Sequence, residues 1–137
     1  MKKILFLLTA VCAMLYAPPI NAADYTFYVD KGDTGWTTVQ CYYWDNSPAS
    51  FAASPECTPV PGTTSIYKIE LTNDSLKGII FHKGEPGDNN QSQNIDGNNL
   101  KDGYLYTLKK VEGQFATWTI SDSKYTPPGS EKLHVLF

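Results

Sequence analysis

The 137-residue chain contains no arginine. Nucleic-acid and phosphate recognition lean on the guanidinium fork and on positive potential. Here 11 lysines stand against 14 acids, for a net charge of −3. That balance argues against nucleic acid and against an anionic membrane surface as partners. Histidine is scarce as well, with only His82 and His134, and cysteine stops at three. No His/Cys cluster has the spacing of a zinc site. Beyond the N-terminal segment nothing approaches the roughly 20 apolar residues of a membrane-spanning helix, and no stretch sustains a 3.6-residue apolar period.

These shortages also weigh against catalysis. A catalytic triad needs a nucleophile, a base and an orienting acid brought together. His82 sits in an apolar stretch, His134 lies in the C-terminal tail, and the acids are scattered through turns. A glycosidase needs two carboxylates flanking a cleft, for which a chain of this size has little room. Asp96-Gly97-Asn98-Asn99 lacks the ligand series of a calcium-binding loop and reads as a turn. The expectation is a non-enzymatic protein without metal or cofactor.

What is present begins with Met1-Lys2-Lys3, an apolar run over 4–16, and small residues at Ala22 and Ala23. This is the pattern of a secretory signal peptide over 1–22, which implies a secreted or extracytoplasmic protein. The remaining chain, 23–137, has the length of one domain. Without Lys2 and Lys3, nine lysines face fourteen acids, a net charge of −5. Cys12 falls in the discarded peptide, which leaves Cys41 and Cys57. Two roles are open to them. A disulfide, permitted by export, would stabilise by about 3 kcal/mol in the chain-entropy model. Alternatively they are two small buried apolar residues.

Short β-prone runs separated by turn formers predict strands over 25–29, 36–44, 66–71, 78–82, 104–108 and 114–120. The run 78–82 is nearly all apolar, as for a strand buried on both faces. Two polar stretches, 45–62 and 83–103, read as long loops. The predicted fold is all-β, an antiparallel β-sandwich over 23–124 with a linker and short tail over 125–137. Unusually for such a chain, 13% of residues are aromatic and nine are tyrosine. They concentrate in Trp36-Thr-Thr-Val-Gln-Cys-Tyr-Tyr-Trp44. Strand side chains alternate, so Gln40, Tyr42 and Trp44 share one face and Val39, Cys41 and Tyr43 the other. The two rings should stand about 7 Å apart. Flat rings beside an amide can bury the C–H face of a sugar while pairing with its hydroxyls. An ordinary strand with large side chains turned to the core has the same composition. Trp36 fits either face, Trp118 fits the core with Ala116 and Ile120, and His82 fits a structural role.

The order of these motifs resembles carbohydrate-binding module family 26, the starch-binding modules found beside amylases. The residues that carry the likeness are the strand 25–29, Trp36, Val39-Gln-Cys-Tyr-Tyr-Trp44-Asp45, Val60-Pro61-Gly62, Ile79-Ile80-Phe81 with Gly84, Gln91-Ser-Gln-Asn-Ile95, and the tyrosine-bearing strand from Tyr104. The resemblance implies an immunoglobulin-like sandwich that binds α-1,4-glucan (starch, glycogen or malto-oligosaccharide) and associates with amylolytic proteins. It implies Tyr42 and Trp44 as stacking residues, with Gln40 and Gln91 as hydroxyl partners. The chain departs from the pattern at Val60, where the family carries an aromatic, and in its longer stretch 45–59, from which Phe51 could supply the missing ring. The rival expectation is an extracellular sandwich serving in adhesion or assembly through the tail 131–137.

Overall fold

The computed structural model describes residues 23–47 and 50–130. The expected signal peptide, Cys12, His134 and the tail from 131 lie outside the described residues. Within them the strands are β1 (Tyr25–Asp30), β2 (Gln40–Trp44), β3 (Thr58–Pro59), β4 (Ile66–Leu71), β5 (Gly78–His82), β6 (Ile95–Asp96), β7 (Tyr104–Lys109) and β8 (Thr117–Lys124). Helix is confined to two single 3-10 turns, Phe51–Ala53 and Gly97–Asn99. The described chain is all-β, in two sheets: β3-β4-β1-β7-β8 and β2-β5-β6.

Period-two alternation explains the core. Phe27 and Val29 of β1, Ile69 and Leu71 of β4, and Tyr106 and Leu108 of β7 come from the larger sheet. Cys41 of β2, Ile79 and Phe81 of β5, and Ile95 of β6 come from the smaller. All join one buried cluster, with the rings of Phe81 and Tyr106 6.1 Å apart. Every large side chain so removed from water stabilises the fold by about 1.5–3 kcal/mol. Trp118 and Ile120 pack against the edge of this cluster, and Ala116 is buried.

The pairing corrects one part of the expected fold. Not every neighbour is antiparallel: β1 runs parallel to β7, with Tyr28 opposite Leu105 and Asp30 opposite Thr107. Parallel neighbours require a long crossover, and most of the chain lies between these two strands. The remaining strand pairs are antiparallel.

β2 is shorter than the predicted 36–44. Trp36 is buried, its indole N–H donates to the Asn89 carbonyl at 3.0 Å, and its own carbonyl accepts from Lys31 Nζ at 2.6 Å. The chain is thereby anchored in the core before it enters the ladder at Gln40. β3 and β6 lie within the two predicted loops. Two residues are too few to show any period, so neither is visible in the sequence.

Candidate functional site

The smaller sheet has β2 at one side and β5 in its centre, in register from Gln40 opposite His82 to Trp44 opposite Gly78. Cys41 and Tyr43 turn toward the core with Ile79 and Phe81. Gln40, Tyr42 and Trp44 therefore share the outer face with Gly78, Ile80 and His82. Gln91 bridges to His82 on the far side of β5. Gln40, His82 and Gln91 thus form one row across the sheet, and the four sequence-predicted residues lie on the same face.

Three rings form a file along that face. The ring centroids of Trp44 and Tyr42 are 5.9 Å apart, and those of Tyr42 and Phe51 5.0 Å, each pair inclined by 29°. The first spacing is closer than the 7 Å expected from strand rise. All three side chains are half-buried. Trp44 lies over the bare backbone of Gly78: a Cβ there would fall 2.1 Å from Trp44 Cζ2. The glycine is the seat of the indole. At the other end Phe51 covers His82, with ring centroids 4.0 Å apart.

This cover accounts for the burial of β5 on both faces. Ile79 and Phe81 face the core, while Gly78 lies beneath Trp44 and His82 beneath Phe51. His82 is fully buried, its Nδ1 accepts the Gly84 N–H at 3.0 Å, and among the described residues its Nε2 has no hydrogen-bond partner. Its structural role is therefore only half satisfied. Burial penalises the charged imidazolium and pushes its pKa down to about 4.

The two amides are less free than the rings. Gln91 is 7% exposed, and its Oε1 accepts the Gly87 N–H at 2.9 Å. Gln40 Nε2 reaches the Ser54 carbonyl at 3.4 Å, and its Oε1 approaches the backbone at Gly84. Gln40 therefore braces the segment that carries Phe51. At the end of β2, Asp45 accepts from Asn73 Nδ2 at 2.8 Å and from the Ser47 N–H at 2.7 Å. The Asn73 bond, followed by that from Ser47, holds the carboxyl below its ordinary pKa.

Val60 has no part in this file. It is 4% exposed and lines a groove of about 450 Å³ with Tyr28, Pro59, Pro61, Lys68 and Glu70, beside the larger sheet. The third ring of the outer face is Phe51. In the sequence it stands in a Pro-, Ser- and Ala-rich stretch without periodicity, so composition alone could mark it as a stray aromatic. The burial of His82 beneath it has no sequence signal.

Cys41 and Cys57 are free thiols in the core, 0% and 3% exposed. Burial, and then the neighbouring Cys57, pushes the Cys41 thiol up; burial, and then Glu56, does the same to Cys57. Both are consequently poor nucleophiles. Iodoacetamide is expected to leave both unmodified in the folded protein and to label both in denaturant, as read by peptide mass. Labelling under native conditions would contradict the burial.

Among the described residues, no group of three or more His, Cys, Asp or Glu gathers as metal ligands. No protein-family model, no curated protein and no solved structure matches the chain.

Proposed function

We propose that the protein is a secreted, non-catalytic module of starch-binding type. In this reading its two sheets form an immunoglobulin-like β-sandwich, and the outer face of the smaller one binds α-1,4-glucan. The observation that carries the reading is the file Trp44–Tyr42–Phe51, three half-exposed rings in successive stacked contact on one face. The motif order that resembles carbohydrate-binding module family 26 supports the same ligand class.

A glucose unit presents an apolar face of C–H groups and a rim of hydroxyls. The rings cover the face, each contributing about 1–2 kcal/mol at ~25 cal/mol per Å². After association costs, two or three such contacts give millimolar to high-micromolar affinity. Neither partner in the stack need be charged, so binding should change little with salt. Tyr42 and Trp44 are the principal stacking residues and Phe51 extends the file. Gln40 offers a hydroxyl partner at its border, and Gln91 offers its amide N–H groups there, its Oε1 being held by the Gly87 N–H. An associated amylolytic protein would supply the hydrolysis that this module lacks.

Migration through native gels containing amylose is expected to be retarded, and Tyr42→Ala to restore free mobility. Gels containing a soluble cellulose derivative should not retard the wild type. Equal mobility of the wild type in all gels would sink the reading and leave an adhesion or assembly role to be tested.

A further inference from the structure

Beside the file of rings, the exposed edge of β2 opens into a gap whose cause is Pro55. The segment 55–57 pairs with β2 as a short additional strand. Cys57 N–H donates to the Val39 carbonyl at 2.8 Å, Cys41 N–H donates to the Pro55 carbonyl at 3.0 Å, and Gln40 lies opposite Glu56. The next rung of this ladder would need an N–H on residue 55 to reach the Cys41 carbonyl. Proline has none. The ladder stops there, and residues 50–54 curl into a 3-10 turn, closed by Ala53 N–H on the Ser50 carbonyl and Ser54 N–H on the Phe51 carbonyl.

The space between this turn and the strand measures about 190 Å³ and is lined by Tyr42, Tyr43, Ser50, Ala53 and Ser54. Backbone groups along an antiparallel strand alternate in direction. The Trp44 carbonyl points toward the β5 side, where it accepts the Lys77 N–H at 2.9 Å. Tyr43, one residue earlier, therefore directs its N–H and carbonyl away from β5, into the gap. Among the described residues, no loop backbone group bonds to them. One wall of the gap is thus a donor–acceptor pair, with the serines 50 and 54 opposite and the Tyr42 ring beside it.

We propose that this gap is a hydroxyl-recognition subsite for the sugar unit that stacks on Tyr42. The inference rests on the glucan reading above and assigns it a specificity element. Adjacent ring hydroxyls each donate and accept, which matches the N–H and the carbonyl that one residue displays along a strand edge. The volume is below the ~300 Å³ of a typical small-molecule pocket. It therefore takes the hydroxylated edge of one unit, while the rest of the oligosaccharide runs over the rings. The stacking supplies contact with any flat apolar face; the Tyr43 peptide rejects rings that lack hydroxyls at this edge, because its polar groups would lose their water without replacement.

Calorimetric titration of the full chain with maltoheptaose tests the subsite. Ala53 is exposed, so Ala53→Phe fills the gap without disturbing the core. Pro55→Ala restores the missing N–H and lets the ladder close by one more rung. Ala53→Phe is expected to weaken binding about tenfold, the scale of losing two hydrogen bonds, and Pro55→Ala several-fold, each with an unfolding midpoint close to wild type. Wild-type affinity in both folded variants, with maltoheptaose still bound, would overturn the subsite and leave the glucan reading standing. Should Ala53→Phe fail to fold, Pro55→Ala decides alone. Absence of any maltoheptaose binding by the wild type overturns the reading itself and the subsite with it.

Discussion

Acidification from about pH 6.5 to pH 4 is expected to cost the fold up to about 3 kcal/mol through His82 alone. The imidazole is fully buried on the outer face of the smaller sheet, with Phe51 over it and Nε2 unpartnered among the described residues. Burial lowers its pKa from 6.5 to about 4. In that window the unfolded chain binds a proton that the folded chain refuses. Stability therefore rises with pH from about 4 to 6.5 and is level with respect to this group above it. Asp45, whose carboxyl is held below its ordinary 3.8, adds its own loss of stability mainly below this window, as pH falls from 3.8 toward its folded value. Urea melts at pH 7, 5.5 and 4 should trace the loss. His82→Gln should flatten it, since a neutral amide has no proton to refuse. Phe51→Ala should shrink it, because water then reaches the imidazole and its pKa moves back toward 6.5. A wild-type curve with the same slope as His82→Gln would show that the imidazole is not buried as described.

The strands at 66–71 and 78–82 were legible residue for residue, because each carries a plain pattern: alternation in the first, a continuous apolar run in the second. The shared parity of Gln40, Tyr42 and Trp44 was legible for the same reason, but not its outward direction, because a strand with its large side chains turned to the core has the same composition. The parallel alignment of β1 and β7 was not legible either. Strand direction depends on which distant strands become neighbours, and no local pattern records that. The start of β2 was overextended because Trp36 belongs to the same aromatic run as Tyr42, whereas tertiary contacts with Asn89 and Lys31 hold it outside the ladder.

The site divides along the same line. Rings brought together by strand spacing, Tyr42 and Trp44, could be paired from their i, i+2 positions. Phe51 reaches Tyr42 through a loop whose path is set by Pro55, by the 3-10 turn and by Gln40 bracing Ser54. Sequence identifies the aromatic there but not its direction. The amides illustrate the converse limit. Gln91 lies in the same row as Gln40 and His82, yet its Oε1 is committed to the Gly87 N–H. A residue type suited to hydroxyl binding is equally suited to tying a loop, and only the geometry distinguishes them.

Trp44→Ala is expected to weaken maltoheptaose binding about tenfold, and Gly78→Ala to weaken it comparably without removing a ring. The first expectation follows from area: a stacked indole worth about 1–2 kcal/mol sets a factor of about ten. The second follows from the seat beneath it. A Cβ at Gly78 would stand 2.1 Å from Trp44 Cζ2 and 2.4 Å from Cη2, distances that real side chains do not adopt. Either the indole or the strand must shift. The backbone of β5 is held on both sides by β2 and β6, so the indole is the part that yields. It then leaves the file in which it lies 5.9 Å from Tyr42. Gly78 does not carry a positive φ, so the methyl brings no backbone strain, and a folded variant is expected by thermal melt. Tryptophan fluorescence should report the moved ring. Reduced affinity in both variants, with the fold intact, locates binding at the ordered indole. Wild-type affinity in Gly78→Ala alone would mean that the ring works from any orientation. Wild-type affinity in both would remove Trp44, and with it the file of rings, from the binding face.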